Sequence, residues 1–506
     1  MSLKLPIGIQ DFSELRTGEF LYVDKTKFVH TCATSSKAYF LSRPRRFGKS
    51  LLISTFQYFW EGRQDLFKGL WIENQWDWTQ KHPVLRFSFD AMHHKSLGLE
   101  KALLGELDRI AQQFDIQLFK EEKPSVRFRE LIHKTVAQHG KVVILIDEYD
   151  RPIIDHLAIT ELPKAEANRA ELKNFFSILK NEDANIRFLF LTGVSKFSKV
   201  SIFSDLNHLQ DLSPLSNFND ICGYTTEEIE QHFGAILDKM PLKTRDEMRE
   251  WYNGYSWNGR DFVYNPFSVL NFFSAREFQN FWFTTGTPTF LVERLNRQFE
   301  YALDKIEVET LQIEAFELEK LDNLALLFQT GYLTIKEKTD YGTVFLDYPN
   351  REVKEALLRA LLADYSNEGR VLPRINQIKL AFFRNDMAKV IELLNGLFKS
   401  IPYSVFIANR EAYYHSIIYL AFLMLGIHIQ TEVNSADGRL DAVVHTPERL
   451  FIFEFKLGET PQIAIQQIKN NDYAAPFRHL NKTIEAVGVE LSTEKKGIEN
   501  WATETI

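Results

Sequence analysis

Tyr39-Phe40-Leu41-Ser42 runs directly into Arg43-Pro44-Arg45-Arg46-Phe47-Gly48-Lys49-Ser50. An apolar strand thus feeds a loop of the G-x-x-x-x-G-K-[ST] kind, with Arg43 in the place of the first glycine. Such a loop wraps backbone N–H groups around a β-phosphate. Lys49 would neutralise the β/γ oxygens and the Ser50 hydroxyl would ligate Mg²⁺, with Gly48 completing the contact. The loop therefore implies ATP or GTP binding. Arginine at 43 must take an ordinary negative φ where glycine would relax the turn, which predicts slow turnover. Arg43, Arg45 and Arg46 either add charge for phosphate or face solvent or a partner. Ser50-Leu51-Leu52-Ile53-Ser54-Thr55-Phe56 reads as the helix that follows.

A second motif supports the first. Val142-Val143-Ile144-Leu145-Ile146-Asp147-Glu148 is a buried-strand pattern ending in two acids. An Asp at the carboxyl end of a strand beside the loop can reach Mg²⁺, and the next Glu can polarise the attacking water. Read alone, the segment would be a strand ending in solvated acids; after a phosphate loop, catalytic acids are the better reading. Phe188–Leu191 predicts the neighbouring strand, with Thr192 or Ser195 placed to sense the γ-phosphate, although Thr-Gly at a strand end also makes a plain turn. With Ala38–Leu41 and Val84–Phe89, four continuous apolar runs alternate with amphipathic stretches. That pattern predicts a parallel sheet covered by helices.

Length and composition bound the rest. The 506 residues suit two to four domains; 45% are hydrophobic and 25% charged, so large cores are available. The two cysteines, Cys32 and Cys222, exclude a disulfide framework and fit a reducing cytoplasm. No apolar run is long enough to span a bilayer, so no membrane partner is expected. The net charge of −8 does not advertise a nucleic-acid binder as a whole molecule.

From Thr225 (Thr-Thr-Glu-Glu-Ile-Glu, a capping box) the chain turns helical. Leu326–Ile335 followed by Val344–Tyr348 predicts a helix end leading into a hairpin, as in a winged-helix module. Further on, Arg439-Leu440-Asp441-Ala442-Val443-Val444-His445, a turn at Thr446-Pro447-Glu448, and Arg449–Lys456 read as a β-hairpin. Alternation puts Glu454 and Lys456 on one face and Phe451, Phe453 and Phe455 on the other. A turn centred on Pro447-Glu448 sets Asp441 opposite Glu454; a two-residue slip keeps them on one side. Two such carboxylates can hold Mg²⁺ or Mn²⁺, and the lysine can orient a metal-activated water for attack on a phosphodiester. A surface hairpin with a charged face would look similar, but Leu450 and Ile452 share the carboxylate face and argue for burial. Glu411 opens an apolar helix upstream, and Gln467 lies on a helix downstream. The ordered set Glu411, Asp441, Glu454, Lys456, Gln467 resembles the active-site pattern of the PD-(D/E)XK nuclease superfamily. His415, one turn after Glu411, is expected to be packed and not a ligand.

The whole chain resembles a bacterial family of predicted ATPases with an AAA-ATPase-like N-terminal domain and a C-terminal PD-(D/E)XK nuclease domain. The likeness rests on Pro6–Phe12, Tyr22-Val23-Asp24-Lys25-Thr26, the Arg-Pro-Arg-Arg-Phe-Gly-Lys-Ser loop, Gly438–Asp441 and Phe453–Lys456. It implies that arginine in the loop is a family trait. It also implies nucleotide contacts at Gly48, Lys49, Ser50, Asp147 and Glu148, and a nuclease-like site at Glu411, Asp441, Glu454, Lys456 and Gln467. The Tyr22–Thr26 segment either contacts the base or packs the sheet. The expected architecture is α/β multidomain. A P-loop NTPase parallel sheet flanked by helices spans 1–224, a helical, winged-helix-like region 225–375, and a restriction-endonuclease-like α/β domain 376–506. The expected protein is cytoplasmic and uses ATP and Mg²⁺ to regulate cleavage of nucleic acid, DNA sooner than RNA. Ser50, Asp147, Asp441 and Glu454 hold metal, and homo-oligomerisation is left open. The alternative is a nucleotide-dependent switch or scaffold that binds nucleic acid or protein without cutting.

Overall fold

The computed structural model describes residues 4–506 except 121–122, 197–201, 204–208, 284–288, 299–302, 315–321, 367–370, 400–410, 426–428 and 436–437. At 159, 297–298, 314, 365–366, 371–372, 411–416, 429–435 and 438–441 it describes backbone only. The chain divides into two compact units: Met1–Thr287 with Leu303–Lys354, and Pro288–Ala302 with Glu355–Ile506.

The first unit is built on a five-stranded sheet of β1 (Ala38–Ser42), β2 (Val84–Ser88), β3 (Val142–Asp147), β4 (Ile186–Gly193) and β5 (Gln210–Asp211). Their order is β2-β3-β4-β1-β5, and every neighbouring pair is parallel. All residues of β1 and β3 are buried, as continuous apolar runs require when helices cover both faces. The four strands legible as apolar runs form at the expected places. The Phe188–Leu191 strand is the neighbour of the Asp147 strand, as expected; β4 lies between β1 and β3, so the loop strand and the Asp147 strand do not pair directly. Parallel strands are joined by crossovers, which fix no adjacency between consecutive strands. The insertion has a consequence, because the carboxyl end of β4 now sits between the loop and Asp147.

Helix Thr226–Leu237 starts at the capping box read from sequence. The Thr225 hydroxyl accepts from Glu228 N at 3.2 Å and Glu228 Oε2 accepts from Thr225 N at 2.9 Å. Helix Asn323–Thr330 is capped by the Asp322 carboxylate and closes at Gly331 with φ 90°, a value that favours glycine. The hairpin β7 (Thr334–Lys338) and β8 (Thr343–Asp347) follows, with β6 (Ile306–Glu309) added to β8. The expected helix-to-hairpin passage is thus present, with a third strand.

In the second unit, β9 (Ile429–Ser435), β10 (Gly438–His445) and β11 (Arg449–Leu457) form an antiparallel meander. Helix Pro461–Asn470 crosses over to β12 (Thr483–Ser492), parallel to β11, and β13 (Gly497–Thr505) closes the order β13-β12-β11-β10-β9. Phe382 and Phe422 pack on Phe451 and Phe453. On the opposite face, Leu450 and Ile452 join a core with Ile465 and Ile468. Helices therefore cover both faces of β11, and the surface-hairpin alternative is excluded. Among the described residues, no helix is long and apolar enough to cross a membrane.

Candidate functional site

Arg43, the departure from the glycine pattern, does not reach the phosphate side. Its guanidinium is fully buried. Nη1 donates to the Ser42 and Ser213 carbonyls at 2.9 and 3.2 Å, and Nη2 donates to the Phe218 carbonyl at 3.0 Å. The group lies 3.8 Å from the Trp257 ring centroid, a cation–π stack. Burial pulls it down to about 10, so it remains charged at neutral pH. Arg43 is thus a brace behind the loop. Of the three arginines, Arg45 and Arg46 line the cavity in front of it, and Arg46 also lies 5.0 Å from the Phe267 ring centroid.

The loop is preshaped. Lys49 Nζ donates to the Arg43 and Pro44 carbonyls, both at 2.9 Å. An ammonium has three donors, so these bonds fix its position and leave one for a ligand. Arg46 and Gly48 take positive φ, 67° and 92°, the second entering helix Lys49–Trp60. Among the described residues, the backbone N–H groups of Arg45, Arg46, Phe47 and Gly48 donate to no protein acceptor. Free N–H groups at the mouth of a helix N-terminus form an anion cradle.

Thr192 and Asp147 meet at the strand ends: the threonine hydroxyl donates to Asp147 Oδ1 at 2.7 Å, leaving Oδ2 for a ligand. Thr192 thus orients the buried aspartate. Ser195 is committed elsewhere, donating through N and Oγ to Asp150 Oδ2 at 2.6 and 2.7 Å. Glu148 turns toward the cavity through a φ of 53°, an unfavourable value for glutamate. Burial pushes its carboxyl up; the Lys49 charge works against this, while Asp147 and Asp90 reinforce it.

Arg151 also lines this cavity and was not read from the sequence. It faces Asp155 at 3.1 Å, Asp90 at 3.6 Å and Glu148 at 4.0 Å. Its only linear signal was its place three residues after Glu148.

The cavity measures about 320 Å³ and is bounded by Lys49, Ser50, Glu148 and Arg151. Pro6, Gly8, Tyr22, Tyr224 and Phe267 also line it, giving an apolar recess beside the charged loop. The conspicuous N-terminal acids are anchors: Asp11 accepts from Tyr58 Oη and Glu14 N, and Asp24 from Thr26 and Trp71 N. Tyr22, Val23 and Lys25 line the cavity, and Lys25 is held by Glu228 at 2.6 Å.

Behind the loop, Glu352 is fully buried. It accepts from Trp282 N and the Ser268 hydroxyl, each at 2.7 Å. Burial pushes its carboxyl up from 4.5 to about 7. The raised value favours the protonated fold, so its stabilising contribution is complete below about pH 4.5 and is lost as pH rises through 7. A shift of this size corresponds to about 3 kcal/mol. Glu352→Gln is expected to remove that dependence, making the variant more stable than wild type at pH 8. Urea unfolding at pH 5.5 and 8 checks it, and parallel pH profiles would refute it.

In the second unit, β10 and β11 pair in the register read from sequence, Ala442 with Phe453 and Val443 with Ile452. Position 441 on β10 adjoins this ladder. The side chains of Glu411, His415 and Asp441 lie outside the described residues, although Glu411 begins helix Glu411–Met424. Glu454 is 2% exposed, and Lys456 Nζ lies 3.0 Å from its Oε1. Gln467, half-buried on the crossover helix, donates to Tyr473 Oη at 3.4 Å. That helix passes close to the site: Glu454 pairs in register with Gly488, where a Cβ would stand 2.1 Å from the Pro461 carbonyl. Only glycine fits there. Among the described residues, no cluster of three or more His, Cys, Asp or Glu forms a metal cage.

Residues 6–203 match the family described as predicted AAA-ATPase, and residues 409–501 match the PD-(D/E)XK nuclease superfamily. A protein of Azotobacter chroococcum mcd 1, described as an uncharacterized protein in the vnfD 5' region, is 40% identical over 517 residues. The alignment covers 99% of each chain. No solved structure matches significantly. With its loop and cavity in the first unit and its acid–lysine pair in the second, the chain belongs to the AAA-ATPase-like family that carries a C-terminal PD-(D/E)XK nuclease superfamily domain.

Proposed function

We propose that this protein is a cytoplasmic, ATP-binding nuclease in which nucleotide occupancy regulates metal-dependent cleavage of DNA phosphodiesters. The observation that carries the reading is the Glu454–Lys456 pair on a helix-covered sheet face. Buried ion pairs seldom add stability over apolar packing, so their retention calls for a chemical role. Both ends fit metal-dependent work. Asp147 keeps Oδ2 for a ligand at the carboxyl end of its strand, and Glu454 shares its face with the register position of Asp441. Mg²⁺, or Mn²⁺ at the second site, supplies Lewis acidity to phosphoryl oxygens and to bound water.

The chain's own groups do the rest. The N–H groups of Arg45–Gly48 and the third Lys49 donor bind the β- and γ-phosphates, with Arg45 and Arg46 adding charge. The base lies in the apolar recess. Glu148 accepts the proton of the attacking water, and burial, by raising its carboxyl, makes it a stronger base. In the second unit, Asp441 and Glu454 hold the metal. Lys456 orients the nucleophile, while Glu411 and Gln467 complete the set. Glu148→Gln is expected to keep ATP binding and to lower hydrolysis by about 10²–10³-fold, the usual share of a general base. Phosphate release under single-turnover conditions measures this; an unchanged rate would remove Glu148 from the mechanism.

A further inference from the structure

Trp282 lies more than two hundred residues from the phosphate loop, yet its indole Nε1 donates to the Arg45 carbonyl at 3.0 Å. We infer that Trp282 is a positioning residue for the phosphate cradle, aiming the Arg46 N–H at a bound polyphosphate. This rests on the nucleotide-binding reading above and adds to it a residue outside the motif.

The Arg45 carbonyl and the Arg46 N–H share one planar trans peptide and point in opposite directions. A donor that holds the carbonyl therefore fixes the direction of the N–H. Lys49 holds the two preceding carbonyls, of Arg43 and Pro44, and the first of these peptides has no N–H because Pro44 lacks one. The second of these peptides carries the Arg45 N–H, and Trp282 extends the same control by one residue. The Arg45–Arg46 peptide leads into Arg46, which sits at a φ of 67°. A non-glycine residue there costs energy and persists only where its surroundings impose it.

Trp282 is itself immobilised. Its ring is 6% exposed and packs edge-on to Tyr332 at 5.3 Å, and its backbone N–H is taken by Glu352 at 2.7 Å. The rest of the loop's back is equally occupied. Phe47 packs edge-on against Tyr255 and Trp257, at 4.8 and 5.8 Å, and Gly331 lies so close to Pro44 that a Cβ would stand 2.7 Å from its ring. A P-loop that lacks its first glycine thus takes its shape from Tyr255, Trp257, Trp282 and Gly331, and Trp282 supplies the hydrogen bond among these contacts.

Trp282→Phe removes the N–H and keeps an aromatic ring. Wild type and variant are titrated calorimetrically with ATP and with inorganic tripolyphosphate, and unfolded thermally without ligand. Loss of one oriented donor corresponds to roughly five- to tenfold in affinity. The expected result is the same weakening for ATP and for tripolyphosphate in a variant that still unfolds cooperatively, its midpoint lowered by the lost bond and ring volume. Unchanged affinities would overturn the assignment, and so would weakening confined to ATP, which would place the effect at the base. Loss of cooperative unfolding in the unliganded variant would make Trp282 a packing residue only. Wild type that binds neither ligand would overturn the nucleotide reading itself, an outcome distinct from a failure at Trp282.

Discussion

Glu454→Ala is expected to abolish phosphodiester cleavage, by about 10³-fold or more, while leaving the protein folded. The loss follows from the position of the carboxylate, the one described acid on the covered face of β11, with Lys456 Nζ 3.0 Å away. Without it, the proposed metal would lack a ligand and Lys456 would lose the carboxylate 3.0 Å from its Nζ. The fold should survive because of an asymmetry in the pair. The Lys456 side chain is 21% exposed, against 3% for Glu454, so an abandoned ammonium can turn toward water. The reverse substitution, Lys456→Ala, removes the cation 3.0 Å from a buried carboxylate and should cost more stability than Glu454→Ala. Nicking of supercoiled plasmid with Mg²⁺, beside an unfolding curve, separates the two. Wild-type cleavage by folded Glu454→Ala would remove the site.

Lys49→Ala should weaken ATP binding by about 100-fold and eliminate hydrolysis. Charge-assisted hydrogen bonds contribute about 1.5–3 kcal/mol each, and the ammonium serves both phosphate and loop. Removing it deletes the ligand contact and frees the Arg43 and Pro44 carbonyls it holds. The loop then loses its preshaped state before any nucleotide arrives, so binding also takes on the cost of ordering it. Calorimetry with ATP measures the change; an affinity within threefold of wild type would mean that the nucleotide does not sit at this loop.

Much of this was legible in the chain because motif residues and strand periodicity are local properties. The loop, the Asp147-Glu148 strand end, the Thr225 capping box and the β10–β11 register all depend on short-range rules. Arg43 shows where such rules stop. The sequence marked it as an anomaly beside phosphate, but whether its side chain points forward or back depends on Ser213, Phe218 and Trp257, far along the chain. Ser195 was indistinguishable from Thr192 as a sensor until Asp150 was seen to take its hydroxyl. The insertion of β4 between β1 and β3 was hidden for the same reason, since crossovers leave no mark of strand order. Trp282 carried no local signal, because an indole acting on a remote carbonyl obeys no spacing.

The central claim is that occupancy of the Arg43–Ser50 loop controls cleavage at Glu454. It is tested most directly by plasmid nicking with Mg²⁺, with and without ATP, by wild type, Lys49→Ala and Glu454→Ala. Coupling between sites is commonly 5- to 150-fold. The account predicts that ATP raises wild-type cleavage about tenfold or more, that Lys49→Ala ignores ATP, and that Glu454→Ala does not cut. Cleavage by wild type that is the same with and without ATP, or DNA bound and left intact in every metal, would contradict it.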